Sequence, residues 1–147
     1  MDPEKIRRGI DRAVKAYPAN RLVRQLVLCA TVNRCANAKN FFLGRQEAPL
    51  PVSPVCNARC LGCISLEPEG DIPSTQERLR FVPTPEEIAE LALDHIERAG
   101  RAGRAMVSFG QGCEGEPLMQ ARVIERAIRQ IRRSEEHTSE LQSPNTI

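Results

Sequence analysis

The chain has no tryptophan, one tyrosine (Tyr17) and four phenylalanines among its 147 residues. A core built from it is expected to be aliphatic. No stretch approaches the roughly 20 apolar residues of a membrane-spanning helix. The apolar run near Leu26 is short and flanked by arginines, and residues 2–8 are charged where a secreted protein would carry an apolar leader. A strong overall charge is missing too: the net value of +2 points to no particular partner. Together these absences exclude a membrane span and imply a cytoplasmic address, where thiols stay reduced. The length suits a single domain with a modest core.

The charge that is present is uneven. Residues 1–45 hold ten basic and three acidic side chains, a local excess of +7. A basic helical face of this kind meets nucleic acid or an acidic partner protein, or is simply a solvated helix surface. Six cysteines are present, three of them within "VCNARCLGC" at residues 55–63. In a reducing compartment such a cluster reads as metal ligands or catalytic groups rather than disulfides.

Several elements can be read along the chain. Residues 2–17, "DPEKIRRGIDRAVKAY", predict a helix capped by Asp2 with Pro3 in its first turn. "PAN" breaks it, and a second helix is expected from Asn20 to Cys35, with Cys29 and Cys35 as small buried apolar residues. The proline-rich stretch at 44–55 predicts a short strand from Leu50 to Val55, kept irregular by Pro51 and Pro54. Residues 66–82 have no period and read as a long, functional loop, a lid or a docking segment. "TPEEIAELALDHIERAG" predicts a helix with Thr84 as cap, Pro85 in the first position, Glu87 completing a capping box and Gly100 at its end. His95 within it reads as a surface or hydrogen-bonded histidine rather than a ligand. A strand from Ala105 to Phe109, a glycine-rich turn "QGCEGEP" and a helix from Pro117 complete the order.

Strand, loop, helix, strand, loop, helix implies an α/β fold with parallel strands. Functional residues of such units lie at the carboxyl ends of the strands, which puts the cysteine cluster and the GEP turn side by side. The last residues stand apart. Arg133 to Ser143, "RSEEHTSELQS", match at all eleven positions a translation of a widely used short-read sequencing adapter. Residues 133–147 are therefore treated as a non-native tail, and the natural chain is expected to have been cut short near Arg132.

The spacing of Cys56, Cys60 and Cys63 is C-x3-C-x2-C. A structural zinc site wants four ligands, commonly from paired C-x2-C units. Cys113 is available as a fourth, with Cys29 or Cys35 in support, which would make a zinc-binding interaction module. Iron–sulfur clusters also take thiolates at short spacing, so an electron-transfer protein is a further alternative. Three thiolates on a four-iron cluster leave one iron open to a small molecule.

"LPVSPVCNARCLGC" resembles the first motif of the radical S-adenosylmethionine (SAM) enzymes, in which C-x3-C-x2-C follows the first barrel strand. Asn57 and Arg59 suit the common C-N-x-R-C form. "VSFGQGCEGEPL" resembles the family's G-G-E-P motif, with Gly115, Glu116 and Pro117 in register and Glu114 in place of the first glycine. Cys63 and Gly115 are 52 positions apart with one predicted helix between them.

The resemblance implies that residues 46–132 form the first two strand–helix units of a truncated radical SAM barrel, preceded by a helical extension at 1–45. It implies that Cys56, Cys60 and Cys63 ligate a 4Fe–4S cluster whose fourth iron binds SAM, and that Gly115 to Pro117 hold the methionine ammonium. An electron from a reductant such as flavodoxin or ferredoxin would then cleave SAM to a 5′-deoxyadenosyl radical that abstracts hydrogen from a substrate. The substrate is unassigned, and the basic extension admits RNA or protein. The aromatic residue that many members carry before the third cysteine is Gly62 here, which shifts adenine contact to another residue such as Ile64. Only two units lie between Leu50 and Arg132, fewer than a closed barrel has, so this chain alone is expected to be inactive.

Overall fold

The computed structural model describes residues 1–65, 74–101 and 105–142, the last eight as backbone. Helix α1 spans Pro3–Ala16, and its Asp2 cap accepts the backbone N–H of Glu4 at 2.9 Å, as expected from the Asp-Pro start. Helix α2 spans Arg21–Thr31 and is capped by Asn20, whose side-chain oxygen accepts Leu22 N–H at 3.0 Å. It ends four residues before the predicted boundary. Arg34 sits in the left-handed region (φ 54°), which no helix interior tolerates, and the chain turns there into a third helix, α3, at Ala36–Leu43. Cys35 is the N-cap of α3 rather than part of α2, and it is half-buried. Gly44, left-handed at φ 60°, ends α3.

Strand β1 is Glu47–Pro49, and strand β2 is Met106–Ser108. They pair in parallel with Glu47 opposite Met106, Ala48 opposite Val107 and Pro49 opposite Ser108. The first strand therefore lies ahead of the predicted Leu50–Val55. Pro51 and Pro54 have no N–H to give, so the ladder stops after Leu50 N–H donates to Ser108 O at 2.8 Å. Between the strands runs α4, Pro85–Gly100, with both halves of its capping box formed: Glu87 N–H to Thr84 Oγ1 at 3.2 Å, and Thr84 N–H to Glu87 Oε2 at 2.8 Å. After β2 a 3₁₀ turn at Pro117–Gln120 leads into α5, Ala121–Gln142. The α5 backbone continues through the first part of the adapter-like segment. The coarse class is α/β, with helices around a two-stranded parallel sheet.

One cluster of buried side chains runs from Ala13 in α1 to Ile131 in α5, so the helical extension and the strand–helix units share a core. That core is aliphatic, with Leu22, Leu26, Leu50, Ile88 and Leu91 fully enclosed, except where Phe41 enters from α3. Phe41 meets Phe42 edge-on at 5.3 Å and stacks on His95 at 6.1 Å. His95 is fully buried. Its Nε2 lies 2.8 Å from the carbonyl of Gln46, which can only accept, so Nε2 carries the proton. Burial lowers its pKa and keeps the ring neutral.

The basic extension is partly consumed in holding α4. Arg12 makes a bidentate pair with Asp94, both bonds 2.9 Å, and Tyr17 and Arg98 donate to the same carboxylate. Arg21 pairs with Glu87 at 2.7 Å, while Asn20 donates to Glu87 O and Glu90 Oε2. Gly9 lets α1 approach α3, because a Cβ there would strike the Phe42 carbonyl. No helix among the described residues is long and apolar enough to cross a membrane.

Candidate functional site

The two motifs meet just beyond the carboxyl ends of β1 and β2. Between Leu50 and Cys56 the chain forms no strand, and two of its donors are lost to proline. The N–H groups of Val52 and Ser53 and the carbonyls of Ser53 and Val55 are taken by the turn after β2. Gly115 N–H donates to Ser53 O at 2.7 Å and Glu116 N–H to Val55 O at 2.9 Å. The approach is so close that a Cβ at Gly115 would overlap the Val55 carbonyl and lie 3.1 Å from Cys56 N. Glycine is required there for space. The GEP turn is thus hydrogen-bonded to the residues that deliver Cys56.

Glu114 completes the junction. It is 4 % exposed. Its Oε2 accepts the N–H of Val52 at 2.7 Å and of Ser53 at 2.9 Å, and its Oε1 accepts Gly110 N–H at 2.6 Å. These are the donors that would have continued a β-ladder had Pro51 and Pro54 allowed one. Burial pushes the Glu114 carboxyl above its ordinary pKa against the opposing pull of those N–H bonds. Sequence reading missed this role, treating Glu114 only as a substitute for a glycine. The available signal was a carboxylate facing a proline-interrupted strand.

Glu116 differs. It is half-buried, and its Oε1 accepts Leu118 N–H at 3.0 Å as the cap of the 3₁₀ turn that Pro117 begins. Ile64 is 43 % exposed, and a Cβ on Gly112 would press into its side chain, so it lies over the turn.

None of the three loop cysteines is in a disulfide. Cys56 is half-buried, and its Sγ accepts Ala58 N–H at 3.4 Å. Cys60 is exposed. Cys63 is half-buried, with Arg78 Nη2 at 3.7 Å and Ser65 Oγ at 3.8 Å from its sulfur. Arg78 Nε also donates to Ser65 Oγ at 3.1 Å. Gly62 is left-handed at φ 68°, and open space surrounds it where an aromatic residue would stand in many radical SAM enzymes.

Among the described residues no three Cys, His, Asp or Glu side chains converge as a metal-ligand set. The donors fit a thiolate-bound group in kind only: three cysteines share one loop, and the sulfurs of Cys56 and Cys63 accept hydrogen bonds as ligating sulfurs do. The structure does not bring the three sulfurs together.

Arg78 falls in the described part of the long loop and was not singled out from the sequence. Residues 66–73 of that loop lie outside the described residues. A cleft of about 660 Å³ opens beside it, lined by Val32, Asn33, Pro54, Ser65 and Arg78 among others. Cys113 is on the GEP turn, but it is 5 % exposed and packs into the core cluster that also holds Cys29. The four-cysteine zinc set of Cys56, Cys60, Cys63 and Cys113 is accordingly not assembled.

No protein-family model matches the chain, and no curated protein or solved structure matches it.

Proposed function

We propose that this chain carries the cluster-binding and SAM-binding part of a radical SAM enzyme. The observation that carries the reading is the backbone pairing of Gly115 and Glu116 with Ser53 and Val55. It joins two motifs distant in sequence at the residue before Cys56. Cys56, Cys60 and Cys63 would hold a 4Fe–4S cluster, with the loop drawing their sulfurs together around it. What such a cluster supplies is one electron to the sulfonium of SAM, whose C5′–S cleavage gives the 5′-deoxyadenosyl radical that takes hydrogen from a substrate.

The remaining work falls to this chain's own groups. Gly115 gives close backbone access. The Glu116 carboxylate attracts the methionine ammonium of SAM. Glu114 holds the turn in place, and Ile64 offers an apolar surface for adenine. Arg78 places a cation beside the Cys63 sulfur, where it would complement the charge of a ligating thiolate.

The partial barrel is supported by what β2 and α5 leave uncovered. Among the described residues β2 pairs with β1 alone, and Met106, Leu118 and Ile128 are 55 %, 76 % and 41 % exposed. A further strand–helix unit would cover them. A flavodoxin or ferredoxin as reductant, a cytoplasmic setting and an RNA or protein substrate at the basic extension complete the proposal.

The test is anaerobic reconstitution with iron and sulfide, followed by electron paramagnetic resonance of the reduced protein with and without SAM. A brown protein whose cluster signal changes on adding SAM supports the reading. A colourless protein holding one zinc, or a cluster indifferent to SAM, overturns it.

A further inference from the structure

The stretch from Thr75 to Arg80 belongs to neither motif, yet it is tied to both. Gln76 N–H and Thr75 Oγ1 donate to the Ile64 carbonyl, beside Cys63, at 3.1 and 3.3 Å. Further along, Leu79 N–H donates to the Cys113 carbonyl on the GEP turn at 2.8 Å, and the Leu79 side chain is fully buried. Arg78 stands between these anchors and is half-buried. Its Nε donates to Ser65 Oγ at 3.1 Å, and its Nη2 donates to Cys63 Sγ at 3.7 Å. The planar guanidinium is thus gripped at one nitrogen while another meets the sulfur. Arg80 differs: its side chain is 79 % exposed and pairs with Glu77 at 3.1 Å.

We propose that Arg78 is a positioning residue that sets the reduction potential of the group Cys63 holds, its N–H···S bond making a bound 4Fe–4S cluster easier to reduce. The inference rests on the radical SAM reading of the cysteine loop. One-electron reduction adds a negative charge that such a cluster shares with its ligating sulfurs. Hydrogen bonds to those sulfurs are among the features that set its potential, together with net charge and solvent exposure. A cation held at a sulfur stabilises the reduced form more than the oxidised form, so it raises the potential.

At Cys56 the donor is a neutral amide, the Ala58 N–H at 3.4 Å, whereas at Cys63 it carries a full charge. The grip on Ser65 is two residues from Cys63, so the charged donor stays with that end of the loop when the sulfurs are drawn together. Half-burial of Arg78 reduces the screening that weakens an exposed cation such as Arg80.

The experiment uses the whole chain, reconstituted anaerobically with iron and sulfide. The cluster is titrated with dithionite in the presence of redox mediators and followed by electron paramagnetic resonance. Arg78→Gln should load the same iron per chain. At a given potential its ratio of reduced to oxidised cluster should be about tenfold lower than in the wild type, a shift of about 59 mV for one electron. Arg78→Lys keeps a cation but not the fork and should fall between the two. Arg80→Gln should titrate as the wild type does. Ser65→Ala releases Arg78 Nε and should shift the midpoint in the same direction, which keeps the inference testable should Arg78→Gln fail to fold or to load. A loaded wild type whose midpoint is matched by Arg78→Gln, or by Ser65→Ala in its stead, overturns this inference alone. An equal shift from Arg80→Gln overturns it too, since the effect is then one of general charge. A wild-type chain that takes up no cluster overturns the reading beneath it, and this inference with it.

Discussion

Replacing Glu114 by glutamine keeps the side chain's shape and removes its symmetry. The carboxylate uses both oxygens, one for Val52 and Ser53 and the other for Gly110. An amide has a single acceptor oxygen. Facing Val52 and Ser53, it turns an NH₂ group toward the Gly110 N–H, so two donors confront each other in a site with 4 % exposure. A buried donor left without an acceptor costs about 1–3 kcal/mol, and bonds to a charged acceptor are worth more than those to a neutral one. The loss is partly offset because burial disfavours the charged carboxylate, as its raised pKa records.

A net destabilisation of about 2 kcal/mol follows for Glu114→Gln. For Glu114→Ala, which strands three donors over a void, about 4 kcal/mol follows. For a chain of this size these correspond to falls of about 4–8 °C and 8–16 °C in melting temperature. Thermal melts followed by circular dichroism measure both. Hydrogen exchange locates the loss, which should concentrate at the amides of Val52, Ser53 and Gly110. A glutamine variant that melts within about 1 °C of the parent, with those amides unchanged, would refute the role assigned to Glu114.

Two other perturbations test the same framework. Gly115→Ala should cost about 1–3 kcal/mol, because the new methyl meets backbone at Val55 that cannot swing aside; exchange of the residue 115 and Glu116 amides should rise, and undiminished protection there would contradict the close approach. Glu87 is held down to about 2, first by its hydrogen bond from Arg21. A depressed carboxyl adds stability that is complete above its ordinary value of 4.5 and is lost as pH falls through about 2. Glu87→Gln should therefore weaken the fold at pH 7 by about 1–2 kcal/mol, the worth of a capping contact and a charge-assisted bond. Urea titrations of the two proteins should converge as the pH approaches 2, and a gap independent of pH would count against the ion pair.

Local chemistry made some of this architecture legible in advance. Asp2-Pro3 and Thr84-Pro85-Glu87 are caps whose partners lie within three residues, so α1 and α4 begin where their sequences say. The parallel order followed from the alternation of strands and helices. What escaped depended on distant partners. No glycine or proline marks the break between α2 and α3; a left-handed Arg34 makes it, held by the packing of the helices on either side. The apolar Leu50–Val55 looked more strand-like than Glu47–Pro49, yet pairing needs donors and two prolines remove them. Glu114 could not be distinguished from an ordinary surface glutamate, since the N–H groups that define its role stand about 60 residues earlier.

The prolines themselves account for why the two motifs join where they do. A regular strand from Glu47 to Val55 would spend its N–H and C=O groups on sheet neighbours. With Pro51 and Pro54 in place it cannot, yet the amides of Val52 and Ser53 and the carbonyl of Ser53 still have to be satisfied in a buried setting, with Val55 at its exposed edge. The "CEGEP" turn supplies the matching set, with two N–H groups from Gly115 and Glu116 and a carboxylate from Glu114. Satisfaction is mutual, so neither segment holds its position without the other. It also ends at Val55, one residue before the first thiol. Cys56 therefore leaves from a fixed point, whereas Cys60 stands on the surface four residues further along. Any group held by the three sulfurs must draw Cys60 and Cys63 toward Cys56 as it binds, and its affinity will be lowered by that rearrangement. Tightening of the loop, more than any change in the turn, is where binding should register.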